Sequence, residues 1–508
     1  MPQADVRRPQ LYTAEQTRRL DQLAIASGTP GFELMMRAGR ASYRALRRRW
    51  PEAQRLLVLC GGGNNGGDGL VIAALALEQQ LEVQVRMAGG EATRARLQGE
   101  ALQALQWAEQ RGVKVRPYDP AESIDADVAV DALLGTGLGS EVRGEYRQAI
   151  EQLNESGLPV LAVDIPSGLC ADTGAVMGVA VNAAVTISFI GRKRGLMTNE
   201  GAQYRGDCLF DDLQVDDAVY AQVPTGLQLL APACLRAWLP RRERNAHKGR
   251  YGHLLVVGGD HAMAGAVAMA AEAGLRSGAG LVSVATRAAH QPALNARTPE
   301  LIVHGVRSGQ DLEPLLQRPT VVVIGPGLGQ SAWSGQLLHV VQRLSCPLVL
   351  DADALNLLDR GELVSERQRD NWVLTPHPGE AARLLGCSVA DIQADRFAAV
   401  KRLQQRYGGV VVLKGAGTLV ASAERVWVCA QGNPGMASGG MGDVLAGTMG
   451  ALLAQGLACE EAAAAAVLVH ALAADQLAAS HGERGLLATD LLLPMRRWLN
   501  PDLFAEEV

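Results

Sequence analysis

Arg55-Leu56-Leu57-Val58-Leu59-Cys60 runs without a break into Gly61-Gly62-Gly63-Asn64-Asn65-Gly66-Gly67-Asp68-Gly69, and residues 70–79 then carry apolar side chains at helical spacing. A continuous apolar run is a strand buried on both faces. Strand, glycine loop and helix together open a doubly wound parallel sheet. Residues 83–87, 127–131 and 159–164 read as further strands, and the last two end in the carboxylates Asp131 and Asp164. The loops that follow are Ala132-Leu133-Leu134-Gly135-Thr136-Gly137-Leu138-Gly139-Ser140 and Ile165-Pro166-Ser167-Gly168. Open parallel sheets bind ligands at the carboxyl ends of their strands, so these distant loops are expected to converge on one pocket. Upstream, residues 12–49 read as two helices divided by Gly28-Thr29-Pro30-Gly31.

Gly61, Gly63 and Gly66 fit the G-x-G-x-x-G spacing of dinucleotide sites. A dehydrogenase-type site is disfavoured, because the next strand ends in Met87-Ala88-Gly89 without an acid to hold a ribose. Asn64, Asn65 and Asp68 add polar atoms that a plain pyrophosphate turn does not need. With Asp131 and Ser167 the amide oxygens of Asn64 and Asn65 make an all-oxygen set that suits a hard cation. From spacing alone, a hydrogen-bonded loop without an ion is the favoured reading.

Patterning fades between Leu213 and Arg250, where Pro224, Pro232, Pro240 and an Arg-rich patch fall. This sets an expected division into residues 1–225 and 226–508. Strand-and-loop logic then restarts at residues 253–257, 320–324, 347–350, 372–374 and 410–413. Its loops include Gly325-Pro326-Gly327-Leu328-Gly329, Thr375-Pro376-His377-Pro378-Gly379-Glu380 and Lys414-Gly415-Ala416-Gly417-Thr418. Gly386 is the expected stop of the helix after Glu380.

Gly439, Gly440 and Gly442 precede a run with Val444, Leu445, Thr448, Met449, Leu452 and Leu453 at helical spacing. Uncovered N–H groups and the helix dipole make such a start an anion site, best suited to a phosphoryl group. A carboxylate there, Asp443, costs Coulomb energy unless it has a task. Accepting the proton of a hydroxyl that attacks the phosphoryl group is such a task. The plainer alternative is an acid favoured by the dipole. The spacing is not that of a Walker loop. His377, between two prolines, also reads as a helix cap, and Asp351 and Asp353 read as caps of a strand end outside the site.

With 508 residues, 48% of them apolar, and 57 glycines, the chain suits two or three core-rich α/β domains. A net charge of −5, with no basic run beyond Arg47-Arg48-Arg49, argues against nucleic acid as a partner. The eight cysteines form no C-x-x-C, which reads as reduced thiols in a cytoplasmic protein. Residues 1–10 are polar, without the apolar segment of a leader. No apolar run is expected to reach membrane-spanning length, and the Ala-rich stretch 462–469 reads as a buried helix. A homo-oligomer is expected.

The stretch NPGMASGGMGDVLAG at residues 433–447, with TPHPGE, KGAGT, GPGLG and HKGRYGHLLVVGG, resembles the ribokinase-like ADP-dependent NAD(P)HX dehydratases. The first half, with GGGNNGGDG, DALLGTGLGS and AVDIPSGL, resembles the NAD(P)HX epimerases. The resemblance covers nearly the whole chain. It implies a Rossmann-like three-layer domain followed by a ribokinase-like α/β domain. The first would interconvert the R and S hydrates NADHX and NADPHX. The second would use ADP, with magnesium, to dehydrate the S form to NAD(P)H, giving AMP and phosphate. By motif, it places Asn64, Asn65, Gly66, Gly67, Asp68, Gly135, Thr136, Gly137, Leu138, Gly139, Ser140, Glu141 and Asp164 against the hydrate in the epimerase. Asn65, Asp131 and Ser167 match potassium ligands. In the dehydratase, Ala266, Gly327, His377 and Asp443 match hydrate-binding positions, and Lys414, Gly415, Ala416, Gly417, Thr418 and Gly442 match AMP-binding ones. Asp164 and Asp443 are the expected catalytic carboxylates. The rival readings are a sugar or hydroxymethylpyrimidine kinase fused to a nucleotide-binding domain, and a binding module in the first half.

Overall fold

The computed structural model describes residues 8–361 and 367–504, so most of the polar stretch 1–10 lies outside the described residues. The chain divides into two compact units, Met1–Leu227 and Gln228–Val508.

In the first unit the run Arg55–Cys60 is a strand, and from Leu56 onward its side chains are at most 1% exposed. It sits inside a seven-stranded sheet in the order Val115–Pro117, Glu82–Met87, Arg55–Cys60, Val128–Ala132, Val160–Val163, Val185–Phe189, Asp207–Asp211. All pairs are parallel. The chain builds outward from Arg55–Cys60 on one side and then on the other, so the sheet changes direction between Arg55–Cys60 and Val128–Ala132. That reversal opens a crevice at the strand ends. Ala14–Ala26 and Gly31–Arg49 are the two expected helices, the first opened by a capping box between Thr13 and Gln16.

The helix after the glycine loop begins at Asn64, not at Leu70. Its glycines serve packing: a Cβ on Gly66 would lie 2.1 Å from Gly61 O, one on Gly67 2.6 Å from Met35 Cε, and one on Gly69 2.6 Å from Ala132 Cβ. The helix therefore lies directly on the sheet and on its neighbours. Asp164 falls one residue beyond its strand, in the left-handed region at φ 67°, where a non-glycine residue costs free energy and often marks a functional site.

The second unit holds a ten-stranded sheet in the order Leu227–Leu229, Val426–Cys429, Thr418–Ala421, Val410–Leu413, Trp372–Leu374, Leu348–Leu350, Val321–Ile324, His253–Val257, Leu281–Thr286, Ile302–Gly305. The pairs from Val410–Leu413 to Ile302–Gly305 are parallel, and a hairpin adds antiparallel strands at the other edge. The direction reverses between His253–Val257 and Val321–Ile324. Gly386 closes the helix Pro378–Leu385 at φ 66°, as its position implies. The stretch 213–250 is more regular than its sequence suggests, with the helices Asp217–Ala221 and Pro232–Trp238.

Met441–Ala454 packs so closely on Ala264–Arg276 that a Cβ on Gly447 would lie 1.9 Å from Ala270 O. The helix Cys459–His481 corrects one expectation. Its 23 residues, with a window of mean hydropathy 1.5, are long and apolar enough to cross a membrane. The alanines continue past residue 469, and 67% of that window is buried inside the unit, as a core helix requires.

Candidate active sites

In the first unit the crevice opens into a cavity of about 690 Å³. Asn64, Asn65, Asp68, the loop from Gly135 to Ser140, and Asp164 line it. Three expected contacts do not: Gly66 and Gly67 are buried inside the helix packing, and Glu141 is exposed beside Arg143, 3.4 Å away. Asp164 Oδ1 accepts hydrogen bonds from Phe189 N at 3.1 Å and from the ammonium of Lys193, which also donates to Phe189 O at 2.9 Å. Lys193 is only 1% exposed, so its charge is committed to this pair.

Asp21 and Asp68 face the same lysine. Burial pushes Asp21 up to about 6, against the pull of Lys193. Burial also raises Asp68 well above the carboxylate range, and Asp164 and Asp21 add to it. The cavity thus places carboxyls raised by burial beside the hydrogen-bonded Asp164–Lys193 pair, an arrangement that can move a proton to and from a ligand. Lys193 and Asp21 escape a motif reading, because nothing near them in sequence marks them as partners of Asp164.

Asn65, Asp131 and Ser167 meet under the same loop. Asp131 is fully buried; its Oδ1 accepts from Ser167 Oγ at 2.5 Å and its Oδ2 from Ser167 N at 2.7 Å. Burial pushes Asp131 up to about 6 in spite of these bonds. Asn65 Nδ2 donates to Leu134 O at 3.1 Å, while its buried Oδ1 has no partner. A buried orphan oxygen beside a buried carboxylate is a donor set that fits a monovalent hard cation.

In the second unit Asp351, directly after Leu348–Leu350, is 2% exposed. Its Oδ1 accepts from Lys414 Nζ at 2.8 Å and from Thr375 Oγ1 at 2.7 Å. A Cβ on Gly442 would lie 3.5 Å from Lys414 Nζ and 3.7 Å from Asp351 Oδ2, which brings the glycine-started helix to the same point. Gly440 precedes that helix at φ 92°, and Asp443 sits in its first turn without capping it. Burial pushes Asp443 up to about 7; Asp351 adds to the rise and Lys414 opposes it. A carboxyl poised near neutrality is matched to a general base. Asp351, set aside on sequence, therefore belongs to the cluster.

His377 is the helix cap its prolines suggest: Nδ1 accepts from Gly379 N at 3.0 Å, and Glu380 Oε2 accepts from His377 N at 2.8 Å. It also joins the cluster, since Glu380 Oε2 lies 4.0 Å from Lys414 Nζ. Ala266 and Gly327 meet, a Cβ on Gly327 falling 3.1 Å from Ala266 Cβ. Gly325, two residues before Gly327, lies directly on Asp351 O. Within the loop 414–418, Gly415 and Ala416 are exposed, and Thr418 Oγ1 donates to Gly415 O at 2.9 Å. No group of three or more His, Cys, Asp or Glu side chains suited to a metal occurs among the described residues.

Two units built on mainly parallel sheets, each with a lysine–carboxylate cluster at its strand ends, define a two-site α/β enzyme. Comparison with known proteins makes this particular. A family model described as YjeF-related protein N-terminus matches residues 31–195, and one described as NAD(P)H-hydrate dehydratase matches residues 254–496. The chain is 50% identical over 492 residues to the bifunctional NAD(P)H-hydrate repair enzyme of Coxiella burnetii, covering 97% of this chain and 99% of that one. It is 46% identical over 496 residues to the enzyme of the same description from Escherichia coli, covering 97% and 94%. A solved ribokinase-like superfamily protein from Enterococcus faecalis superposes with a TM-score of 0.50 at 31% identity, covering 55% of this chain and 96% of that one. The chain belongs to the family of bifunctional NAD(P)H-hydrate repair enzymes, with an epimerase domain followed by a dehydratase domain.

Proposed function

We propose that residues 1–225 interconvert the R and S forms of NADHX and NADPHX, and that residues 226–508 return the S form to NADH or NADPH at the expense of ADP. The observation that carries the second assignment is the meeting of Asp443, Lys414 and Asp351 at the start of Met441–Ala454. There Asp443 takes the proton of the hydrate hydroxyl. The hydroxyl oxygen bonds to the terminal phosphorus of ADP, the bridging P–O bond breaks, and AMP leaves. Lys414 and the N–H groups around Gly442 hold the phosphates. Phosphate then leaves the ring carbon, pushed by the ring nitrogen, and the neighbouring carbon gives up a proton to restore the double bond. Hydroxide is a poor leaving group and phosphate a good one, which is why a kinase-type site suits a dehydration. Magnesium would come with ADP.

In the first unit, Asp164, held by Lys193 and Phe189, is the carboxylate placed to exchange a proton with the hydrate. Asn65, Asp131 and Ser167 would hold a potassium ion, whose charge would balance the buried Asp131 under the loop. All eight cysteines are free thiols, which supports a cytoplasmic setting. The test is to add the acid-generated hydrate mixture and ADP and follow the long-wavelength absorbance of dihydronicotinamide. Full recovery of both forms, with AMP released in step, is expected. Recovery of only the S form would remove the epimerase assignment. ATP-driven formation of a stable phosphate ester would favour a plain kinase.

A further inference from the structure

Arg396 opens the helix Arg396–Tyr407 and is 1% exposed, one of the largest fully buried side chains in the protein. Its guanidinium lies behind the loop 414–418. One Nη donates to Leu413 O and to Lys414 O, each at 3.2 Å, and the other donates to Gln393 Oε1 at 2.9 Å. The loop rests so closely on it that a Cβ at Gly415, where φ is +133°, would fall 3.0 Å from a guanidinium nitrogen. C=O and N–H of a trans peptide point in opposite directions. With Lys414 C=O turned back onto Arg396, Gly415 N–H points away from it, on the exposed side of the loop.

We propose that Arg396 is a positioning residue of the nucleotide site, which sets the carbonyls of the loop from behind and gives the ADP phosphates a positive charge that they do not touch. The proposal rests on the reading of residues 414–418 as the nucleotide loop. A desolvated guanidinium acts through a low-dielectric layer, where its field reaches an anion with little screening. Burial pulls its pKa only to about 10, so it stays charged at neutral pH.

The test uses the full chain, with epimerisation as the control for an intact protein. Arg396→Gln keeps polar atoms and removes the charge; Arg396→Lys keeps the charge and removes the fork. The expected result for Arg396→Gln is an ADP KM raised about 10- to 100-fold, from the loss of a poorly screened charge behind the loop, with kcat within a few-fold. The rise in melting temperature on adding saturating ADP shrinks accordingly. Arg396→Lys should fall between this variant and the parent. A parent-like ADP KM in Arg396→Gln overturns the proposal. So does a lowered kcat at unchanged KM with a lower melting temperature in the absence of ADP, the pattern of a mere scaffold residue. Should Arg396→Gln fail to fold, Arg396→Lys decides: a KM raised at least about threefold at constant kcat supports the proposal, and an unchanged KM overturns it. If the parent itself shows no ADP-dependent recovery of NAD(P)H, the reading of the loop fails, and the proposal with it.

Discussion

Asp443→Asn separates chemistry from scaffolding, because the two readings predict opposite signs of stability change. Asp443 is raised from 3.8 to about 7, mainly by burial. A carboxyl raised in the folded state favours folding while it is protonated. That contribution is complete below the unfolded value near 4 and is lost as pH rises through about 7. The shift is roughly three units, so at 1.36 kcal/mol per unit the ionised form costs up to about 4 kcal/mol at pH 8. Asparagine is nearly isosteric and never ionises. The variant should therefore melt several degrees higher than the parent at pH 8 and about level with it near pH 4. Its dehydration rate should fall by about 10²–10⁴, roughly 3–5 kcal/mol of barrier, because the base is gone. Parent dehydration should show an acid limb near pH 7, since the base must be ionised to accept a proton. AMP release, epimerisation and melting temperature are measured on one preparation across pH. Turnover within a few-fold of the parent, with a melting point lowered at pH 8, would mean that Asp443 serves only the helix, and the base assignment would fall.

Asp351→Asn removes the like charge that helps to raise Asp443, so the acid limb of dehydration should move to lower pH by roughly half a unit or more, and a fixed limb would separate the two carboxylates. Asp164→Asn should slow R-to-S conversion by about 10²–10⁴ while the S form is consumed normally; an unchanged interconversion above the spontaneous rate removes Asp164 from catalysis. Epimerisation, or melting with ligand bound, should differ between potassium and a bulky organic cation at equal ionic strength, and equality would favour an ion-free loop. Residues 1–225 and 226–508, expressed apart, should each be soluble and keep their own reaction, because the cut spares both Thr225, which bonds Leu11 O at 2.9 Å, and the strand Leu227–Leu229. Two insoluble pieces would refute the division.

Much of the fold is legible because buried strands such as Arg55–Cys60 announce themselves as apolar runs ended by glycine. The start of the next helix is not, since Gly66, Gly67 and Gly69 read as loop residues until the neighbours that leave no room for a Cβ are in place. Val185–Phe189 hides for another reason: it buries Thr186 and Ser188, so polarity breaks its pattern. At the sites, single residues with odd chemistry are legible. Asp443 in the first turn of a glycine-led helix and Asp164 at a strand tip are conspicuous alone. Their partners come from topology. Asp351 and Lys414 follow strands that are next neighbours but one, with Trp372–Leu374 between them, a gap of about 10 Å that only a long lysine spans. No local pattern carries that information.

The two clusters solve a common electrostatic problem in the same way. A carboxylate in water is too acidic to trade protons at neutral pH, and burial alone raises it at a cost in stability. In each unit a lysine is set among the carboxylates: Lys193 beside Asp164, Asp21 and Asp68, and Lys414 beside Asp351, Glu380 and Asp443. One carboxylate takes the ion pair, Asp164 in the first unit and Asp351 in the second, and anchors the lysine at the strand tip. Another is left desolvated and raised toward neutrality. The difference lies in what the lysine must do next. Lys193 is 1% exposed and donates also to Phe189 O, so it is fixed. Lys414 is 21% exposed and opens the loop 414–418, so on the proposed reading its ammonium would pass between Asp351 and an incoming phosphate. That division fits an isomerisation, which needs a charge pattern restored after each turnover, and a phosphoryl transfer, which needs a cation that follows the charge.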